Sequence, residues 1–376
     1  MKLAKLSLAA IAVVGLSTSS FAADTLADAF KNGKVSGTLE TQYTSESFTV
    51  NPDKTGFAVG GELKFVTDTF NGFGAGFTFE TGHTMGTQNQ TAAKSDATVN
   101  IQETALSEAY LTYTFGKTTA KIGRQYISTP LVAVSGSRIM MDFFQAAVLV
   151  NTDLPNTTLV AGAVNEWTSR SNVATHLDKP IYTVYAKNTS VKGLTLTAQG
   201  TFLQDVQNDY YVEAAYKFDA GMPITVGAQY VATDYDAGND GSLYGLMVGT
   251  SFGALSLNAY YNDSNDDAAV SGGWGHGNDP SYNDMWLING LSANTESYSI
   301  QAKYKVTPEL ALMAWYGDFD LAGNNDKTSL DFDVMYKPSG ALKGTSINVK
   351  YSTVDYDVAA NANKETHLYA FVKYAF

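Results

Sequence analysis

The 376-residue chain has no cysteine. That excludes a disulfide framework and a thiolate metal site. It does not speak against export, because an oxidising compartment permits disulfides without requiring them. Arginine is nearly absent: Arg124, Arg138 and Arg170 are the whole supply. Charged residues make up 16%, against roughly 25% in ordinary globular domains. The formal net charge is −13, and nucleic acid needs a basic surface, so no nucleic-acid partner is expected. Long apolar runs are missing too. Beyond the first 22 residues the most apolar stretch, 131–150, is interrupted by Arg138 and Asp142. No membrane helix of about 20 apolar residues can be drawn there.

What is present begins with the N-terminus. Lys2 and Lys5 form a positive start, residues 6–16 an apolar run, and Ser20-Phe21-Ala22 a small-residue cleavage pattern. This is the order of a secretory signal peptide cut before Ala23, and the run is too short for an anchor. Removal of the two lysines takes the net charge from −13 to −15. The remaining chain is rich in aromatics, with 23 Tyr and 19 Phe, and holds 33 Gly but only 8 Pro. That mixture suits a sheet with one apolar and one polar face.

The dominant period is two. In 106–115, Leu111, Tyr113 and Phe115 fall on one side and Glu108, Tyr110, Thr112 and Thr114 on the other. The same alternation runs through 195–203, 225–231, 255–261 and 346–351, and alternation of this kind reads as strand. The connections alternate as well. Long polar ones are expected at 44–55, 84–103, 127–143, 167–180, 205–209, 235–241, 263–295, 319–327 and 356–364. Short ones are expected at 71–72, 116–117, 154–156, 192–193, 220–221, near Gly253, at 307–308 and at 339–340. Nine long and eight short connections leave eighteen strands, with sixteen as the other even count. Long loops on one side, short turns on the other and an even strand number are the rules of bacterial outer-membrane barrels. The fold class is therefore all-β, a transmembrane antiparallel β-barrel, with both termini on the short-turn, periplasmic side.

The last strand carries a further signal. Leu368, Ala370, Val372, Tyr374 and Phe376 form an outward set; His367, Tyr369, Phe371 and Lys373 form an inward one. This strand must pair with the first, near 35–43, since no edge can stay open in lipid. Tyr374 and the terminal Phe376 also look like the C-terminal assembly signal of outer-membrane proteins. Before the first strand, Leu26, Ala29 and Phe30 have helical spacing and Asp24 is placed to cap them, which predicts a short periplasmic helix. The organisation is thus 1–22 signal peptide, 23–34 periplasmic segment and 35–376 barrel.

A barrel of this width leaves a water-filled lumen. Loop 127–143 is the least polar of the long loops, with Pro130, Leu131, Val132, Val134, Ile139, Met140, Met141 and Phe143. Such a loop is expected to fold inward and narrow the pore. Arg124, Arg138 and Arg170 lie on or beside it and the next loop, and an Arg fork suits carboxylates. Opposed acids, Asp142 with Glu108 and Glu103, would set a transverse field. By simple alternation Arg124 shares the outward face of Ile122 and reaches the lumen only through a bulge.

Residues 123–131 (Gly-Arg-Gln-Tyr-Ile-Ser-Thr-Pro-Leu), then Ser137-Arg138-Ile139-Met140 and Phe143-Phe144, resemble the strand-to-loop segment of the OprD-type (Opr family) porins. The start, 25–37, and the barrel pattern resemble the major outer-membrane porins of epsilonproteobacteria. The resemblance implies eighteen strands, a third loop inside the barrel and passage of small solutes. Substrate-specific members of that family carry a lumenal arginine ladder that guides carboxylates. Three arginines cannot build one, and the acidic balance favours a mild cation preference. Expected partners are small hydrophilic solutes and ions, the lipid bilayer and lipopolysaccharide, and further copies in a homotrimer.

Other chemistry has less support. Asp234, Asp236 and Asp240, and Asp263, Asp266 and Asp267, cluster oxygens as Ca²⁺ requires, but neither group has the EF-hand order. Solvated loops, or sites for divalent cations that bridge lipopolysaccharide, explain both; no cofactor is expected, with a structural Ca²⁺ as the alternative. His83, His176, His276 and His367 stand in separate segments. Gly72-Phe73-Gly74-Ala75-Gly76 leads into a strand, whereas a phosphate loop needs a helix. No His-containing nucleophile cluster stands out, so an enzyme is not expected. The non-channel alternative is an adhesin or structural barrel, using Trp274, Tyr282 and Trp286 of loop 263–295 to bind a surface; the same loop could equally fold over the pore mouth or pack on a neighbouring subunit.

Overall fold

The computed structural model describes residues 23–85, 99, 101–278, 280–323, 325–356 and 364–376. The expected signal peptide, and most of the loops expected at 84–103 and 356–364, lie outside the described residues. A short helix, α1 (Leu26–Lys31), precedes eighteen strands. These are β1 (Lys34–Phe48), β2 (Lys54–Val66), β3 (Phe73–Thr84), β4 (Gln102–Phe115), β5 (Thr118–Gln125) and β6 (Phe143–Asn151). Next come β7 (Thr157–Thr168), β8 (Ala174–Asn188), β9 (Leu194–Leu203), β10 (Gln207–Asp219), β11 (Pro223–Tyr235) and β12 (Gly241–Phe252). The last six are β13 (Leu255–Ser264), β14 (Thr295–Lys305), β15 (Leu310–Leu321), β16 (Lys327–Tyr336), β17 (Thr345–Tyr356) and β18 (Lys364–Ala375).

Each strand pairs antiparallel with the next, and β1 pairs with β18, so the sheet closes without an edge. Closure satisfies every ladder group, which lipid could not do. The expected faces hold along β18: Val372, Tyr374 and Phe376 are exposed, while His367, Tyr369 and Phe371 are buried. On β4, Leu111, Tyr113 and Phe115 are exposed and Glu108 and Thr112 buried. The first short turn of the sequence pattern is one of several built on left-handed residues. Asn71 and Gly72, at φ 50 and 84, make the tight β2–β3 turn, a conformation an Asn-Gly pair adopts at little cost.

Five connections expected to be long are short: 44–55 shrinks to 49–53, 235–241 to 236–240 and 319–327 to 322–326, and two more lie between β7 and β10. Strands β7 to β10 run further than their polarity indicates, so loop 167–180 shrinks to 169–173 and loop 205–209 to 204–206. The polar residues there belong to the strands. The helix starts as expected but with a different cap: the Thr25 hydroxyl, not Asp24, accepts the Asp28 N–H.

A bulge in β4 alters the inner face. Between Thr78/Phe79 the register slips past Ser107, so Glu108 below it and Glu103 above it share one face. A second slip, past Asn165, lies in β7.

Phe376 extends the β1–β18 ladder that closes the ring. Phe376 N–H donates to Gly37 O and Gly37 N–H to Phe376 O, both at 3.1 Å. A Cβ on Gly37 would meet the Phe376 ring at 2.7 Å, so the ring fills the space glycine leaves. Deleting Phe376 removes both bonds and should sharply lower the yield of heat-modifiable, folded barrel. Wild-type yield from the shortened chain would show that closure does not depend on it.

Candidate functional site

The site is built where two long loops enter the barrel. Loop 3 covers 126–142 and loop 7 covers 265–294. Loop 3 begins after β5, which is only eight residues long. Wall side chains hold its backbone at both sides of the lumen. On β1, Gln42 Oε1 accepts the Ile139 N–H at 2.8 Å. On β3, one Glu80 oxygen accepts the Met141 N–H at 3.0 Å and the other the Tyr126 hydroxyl. On β9, Gln199 Oε1 accepts the Leu131 N–H at 2.9 Å, while its amide donates to Thr129 Oγ1 at 2.8 Å.

The apolar residues of loop 3 find separate nests. Ile127, Val132 and Val134 pack with Phe144, Val164, Ile181 and Leu203. Ile139 and Met140 pack with Ala58, Ala105 and Phe143. Leu131, fully buried, lies against Tyr211, Val231 and Leu243 of β10, β11 and β12. The loop therefore crosses the lumen from the β1–β3 wall to the β9–β12 wall. Pro130 is half-buried beside it.

Loop 7 lies along loop 3. Trp274 N–H donates to Leu131 O at 2.8 Å, and Ala133 and Gly277 continue the pairing at 3.0 Å each. This close approach needs glycine. A Cβ on Gly273, Gly275 or Gly277 would stand 2.4, 2.1 or 2.0 Å from a loop 3 carbonyl oxygen. Glycine is also suited to the positive φ of 87 and 99 at the first two. The alternating glycines of 272–277 were the sequence signal for this contact.

Asp142 ties the two loops. Its carboxylate is fully buried. It accepts the Ser135 N–H at 2.6 Å, the Trp167 indole N–H at 3.1 Å and the His276 N–H at 2.8 Å. The His276 ring lies 4.9 Å from the Trp167 ring. Further along loop 7, the Tyr282 hydroxyl donates to Glu213 of β10 at 2.9 Å. Burial, then the Glu213 charge, holds the Tyr282 phenol well above its usual range, so it stays a neutral donor. Trp286 N–H donates to Asp331 of β16 at 3.0 Å.

The sequence-chosen charges do not form one opposed set. Arg138 sits over the Tyr369 ring at 4.5 Å and the Trp286 ring at 5.2 Å, and Lys350 Nζ lies 3.6 Å from the same indole. Arg170 donates to Ser137 Oγ at 2.9 Å, drawing loop 4 (169–173) onto loop 3. Glu103 accepts from Asn172 of loop 4 at 2.9 Å. Glu108 is held between Lys64 at 2.6 Å and Lys121 at 3.4 Å, so its charge is matched within the wall. Asp142 is spent on the loop junction. Arg124 keeps the face of Ile122. It donates to Leu106 O at 3.1 Å and covers the Phe143 ring at 5.3 Å, which satisfies a β4 carbonyl near the end of β5. At the outer rim Asp240 Oδ1 accepts the Tyr235 N–H at 3.1 Å, and Asp234 and Asp236 stay exposed. The residues missed by sequence reasoning are the wall anchors Gln42, Glu80 and Gln199, together with Lys350. Their types are ordinary for a polar inner face, so nothing in the sequence marked them.

The comparisons agree with this architecture. The family model described as outer membrane porin, OprD family, matches residues 47–376. The fold is similar to that of Acinetobacter baumannii OccAB4, with TM-score 0.81 and 16% identity over 92% of this chain and 98% of that one. It is similar to Pseudomonas aeruginosa OpdO, with TM-score 0.79 and 16% identity over 93% and 98%. It is also similar to P. aeruginosa OpdK, solved with vanillate, with TM-score 0.79 and 17% identity over 92% and 99%. No curated protein sequence matches this one. A closed eighteen-stranded barrel and a family match over nearly the whole chain place this protein in the OprD family of outer-membrane porins.

Proposed function

We propose that this porin is a passive diffusion channel for small hydrophilic solutes and ions, narrowed where loop 3 crosses the lumen. The observation that carries the reading is the anchoring of loop 3 to opposite walls, at Gln42 and Glu80 on one side and Gln199 on the other. Loop 7, lying along it, thickens the same level. A mild cation preference follows from the acidic balance, because lumenal lysines are matched by carboxylates: Lys64 and Lys121 by Glu108, and Lys373 by Glu40. Charged groups lining the pore set such preferences. Purified protein in a planar bilayer should give stepwise conductance. In a KCl gradient the reversal potential should have the sign of a cation-preferring pore. Absence of channels from folded protein would remove the reading, and the opposite sign would remove the cation preference.

A second reading concerns the solute. Arg138 and Lys350 flank the Trp286 ring beside Tyr369, a cationic and aromatic surface that suits a planar carboxylate such as the vanillate in the OpdK structure. Replacing Arg138 by Ala should then shift the reversal potential further toward cations and weaken current block by added vanillate. Unchanged values would take Arg138 out of the solute path. The adhesin alternative loses its motive, since Tyr282 is buried and Trp274 and Trp286 are turned onto loop 3 and the wall.

Export by the Sec route with cleavage before Ala23, and assembly as a homotrimer, complete the proposal. Lys2, Lys5, the 6–16 run and Ser20-Phe21-Ala22 support the first. N-terminal sequencing and native mass measurement of the purified protein test the two.

A further inference from the structure

The N-terminal helix has an exposed apolar face that the channel does not use. α1 is pinned at the short-turn end of the barrel. Ala23 N–H donates to Thr69 O at 2.8 Å, and Asp68 N–H to Ala29 O at 2.9 Å. Ala29 is the buried residue of the helix. Leu26 and Phe30, four apart and hence on one face, are 59% and 48% exposed. This face does not end in water. The Phe30 ring stacks on Phe65 at 6.3 Å with 22° between planes. Phe65 lies on the lipid-facing side of β2, opposite Val35 of β1, which is itself exposed. Two strands away Phe73 adds another exposed ring, and Tyr374 and Phe376 stack at the end of β18. The helix therefore continues the periplasmic aromatic band of the barrel. Of its other exposed positions, Asp24, Thr25 and Lys31 are polar and Ala27 is small. Lys31 and Lys34 follow the apolar face on its C-terminal side, and such side chains can lay their stems along apolar surface while the ammonium stays at the headgroups.

We propose that α1 is an interfacial anchor, seated in the headgroup boundary of the periplasmic leaflet with Leu26 and Phe30 in contact with phospholipid. A short helix with one apolar face and flanking cations lies in the interface plane in this way. The anchor rests on the continuity between its apolar face and the lipid-facing wall, not on the reading of the pore. It fixes the first strand at the seam where β1 closes on β18, on the periplasmic side.

The lack of native cysteine makes any introduced thiol unique. Spin labels at Leu26→Cys and Phe30→Cys would be compared with Leu39→Cys on the lipid-facing wall and Asp24→Cys on the polar side. The folded protein would be in phosphatidylethanolamine–phosphatidylglycerol vesicles, with heat-modifiable mobility confirming each variant. Labels at 26 and 30 should relax several-fold more with oxygen than with a water-soluble nickel chelate, as at 39, and the ratio should invert at 24. Labels at 26 and 30 that behave like 24 would overturn the anchor. So would labels shielded from both reagents, which would mean a protein contact in its place. The two labelled positions are independent, so failure of one variant to fold leaves the other to decide.

Discussion

Replacing residues 131–140 by a short Gly-Ser linker should raise single-channel conductance severalfold and flatten ion selectivity. The segment removed is the part of loop 3 that reaches from the β9–β12 wall back to β1. It carries Leu131 in its nest against Tyr211, Val231 and Leu243, and Ile139 and Met140 against Ala58 and Ala105. The eighteen strands and their closure do not depend on it, because every ladder bond lies in the wall. The variant should therefore fold, with some loss of thermal stability. Burying a side chain the size of leucine contributes roughly 1.5–3 kcal/mol, and Val132 and Val134 lose their places together with Leu131, Ile139 and Met140. Bilayer recordings read the conductance, and heat-modifiable mobility reads the fold. Unchanged conductance from a folded variant would mean that loop 7 or another element sets the narrowest level.

Replacing Asp142 by Ala should unhook loop 7 from loop 3 while leaving both in the chain. The buried carboxylate accepts from Ser135, Trp167 and His276. Alanine leaves those donors without an acceptor in a site closed to water. An unsatisfied buried group costs about 1–3 kcal/mol, so the loop assembly loses a few kcal/mol. The expected result is a noisy open state with frequent conductance steps and a lower temperature for loss of the folded band. Asp142→Asn keeps an oxygen acceptor and should give a milder form of both effects. A quiet, wild-type trace from Asp142→Ala would show that the glycine-mediated pairing at 273–277 holds loop 7 by itself.

These two expectations could not both have come from sequence. Loop 3 was legible because an apolar run with Leu131, Ile139 and Met140 between two strands has to find cover, and the barrel interior is where cover exists. Asp142 was read as a pore charge because a carboxylate beside a lumenal loop has that default. Its burial follows from the arrival of His276 from 134 residues away, which local pattern does not report. For the same reason the local pattern of loop 7 leaves a bound surface, the pore mouth and a neighbouring subunit equally open. Its tryptophans and alternating glycines make sense only against the backbone of loop 3. Glu108 likewise looked available, until β2 and β5 brought Lys64 and Lys121 to it.

The sequence by itself determined the barrel. Period-two alternation assigns most strand residues to lipid or lumen, and the alternation of connections sets the strand number and the side of each turn. These are local properties, each read within about ten residues of chain. How the lumen is filled follows from long-range packing. Which side chains face water there depends on distant segments that pair across the pore, on one extra residue at Ser107 that resets a face, and on a strand, β5, short enough to release loop 3 inside the wall.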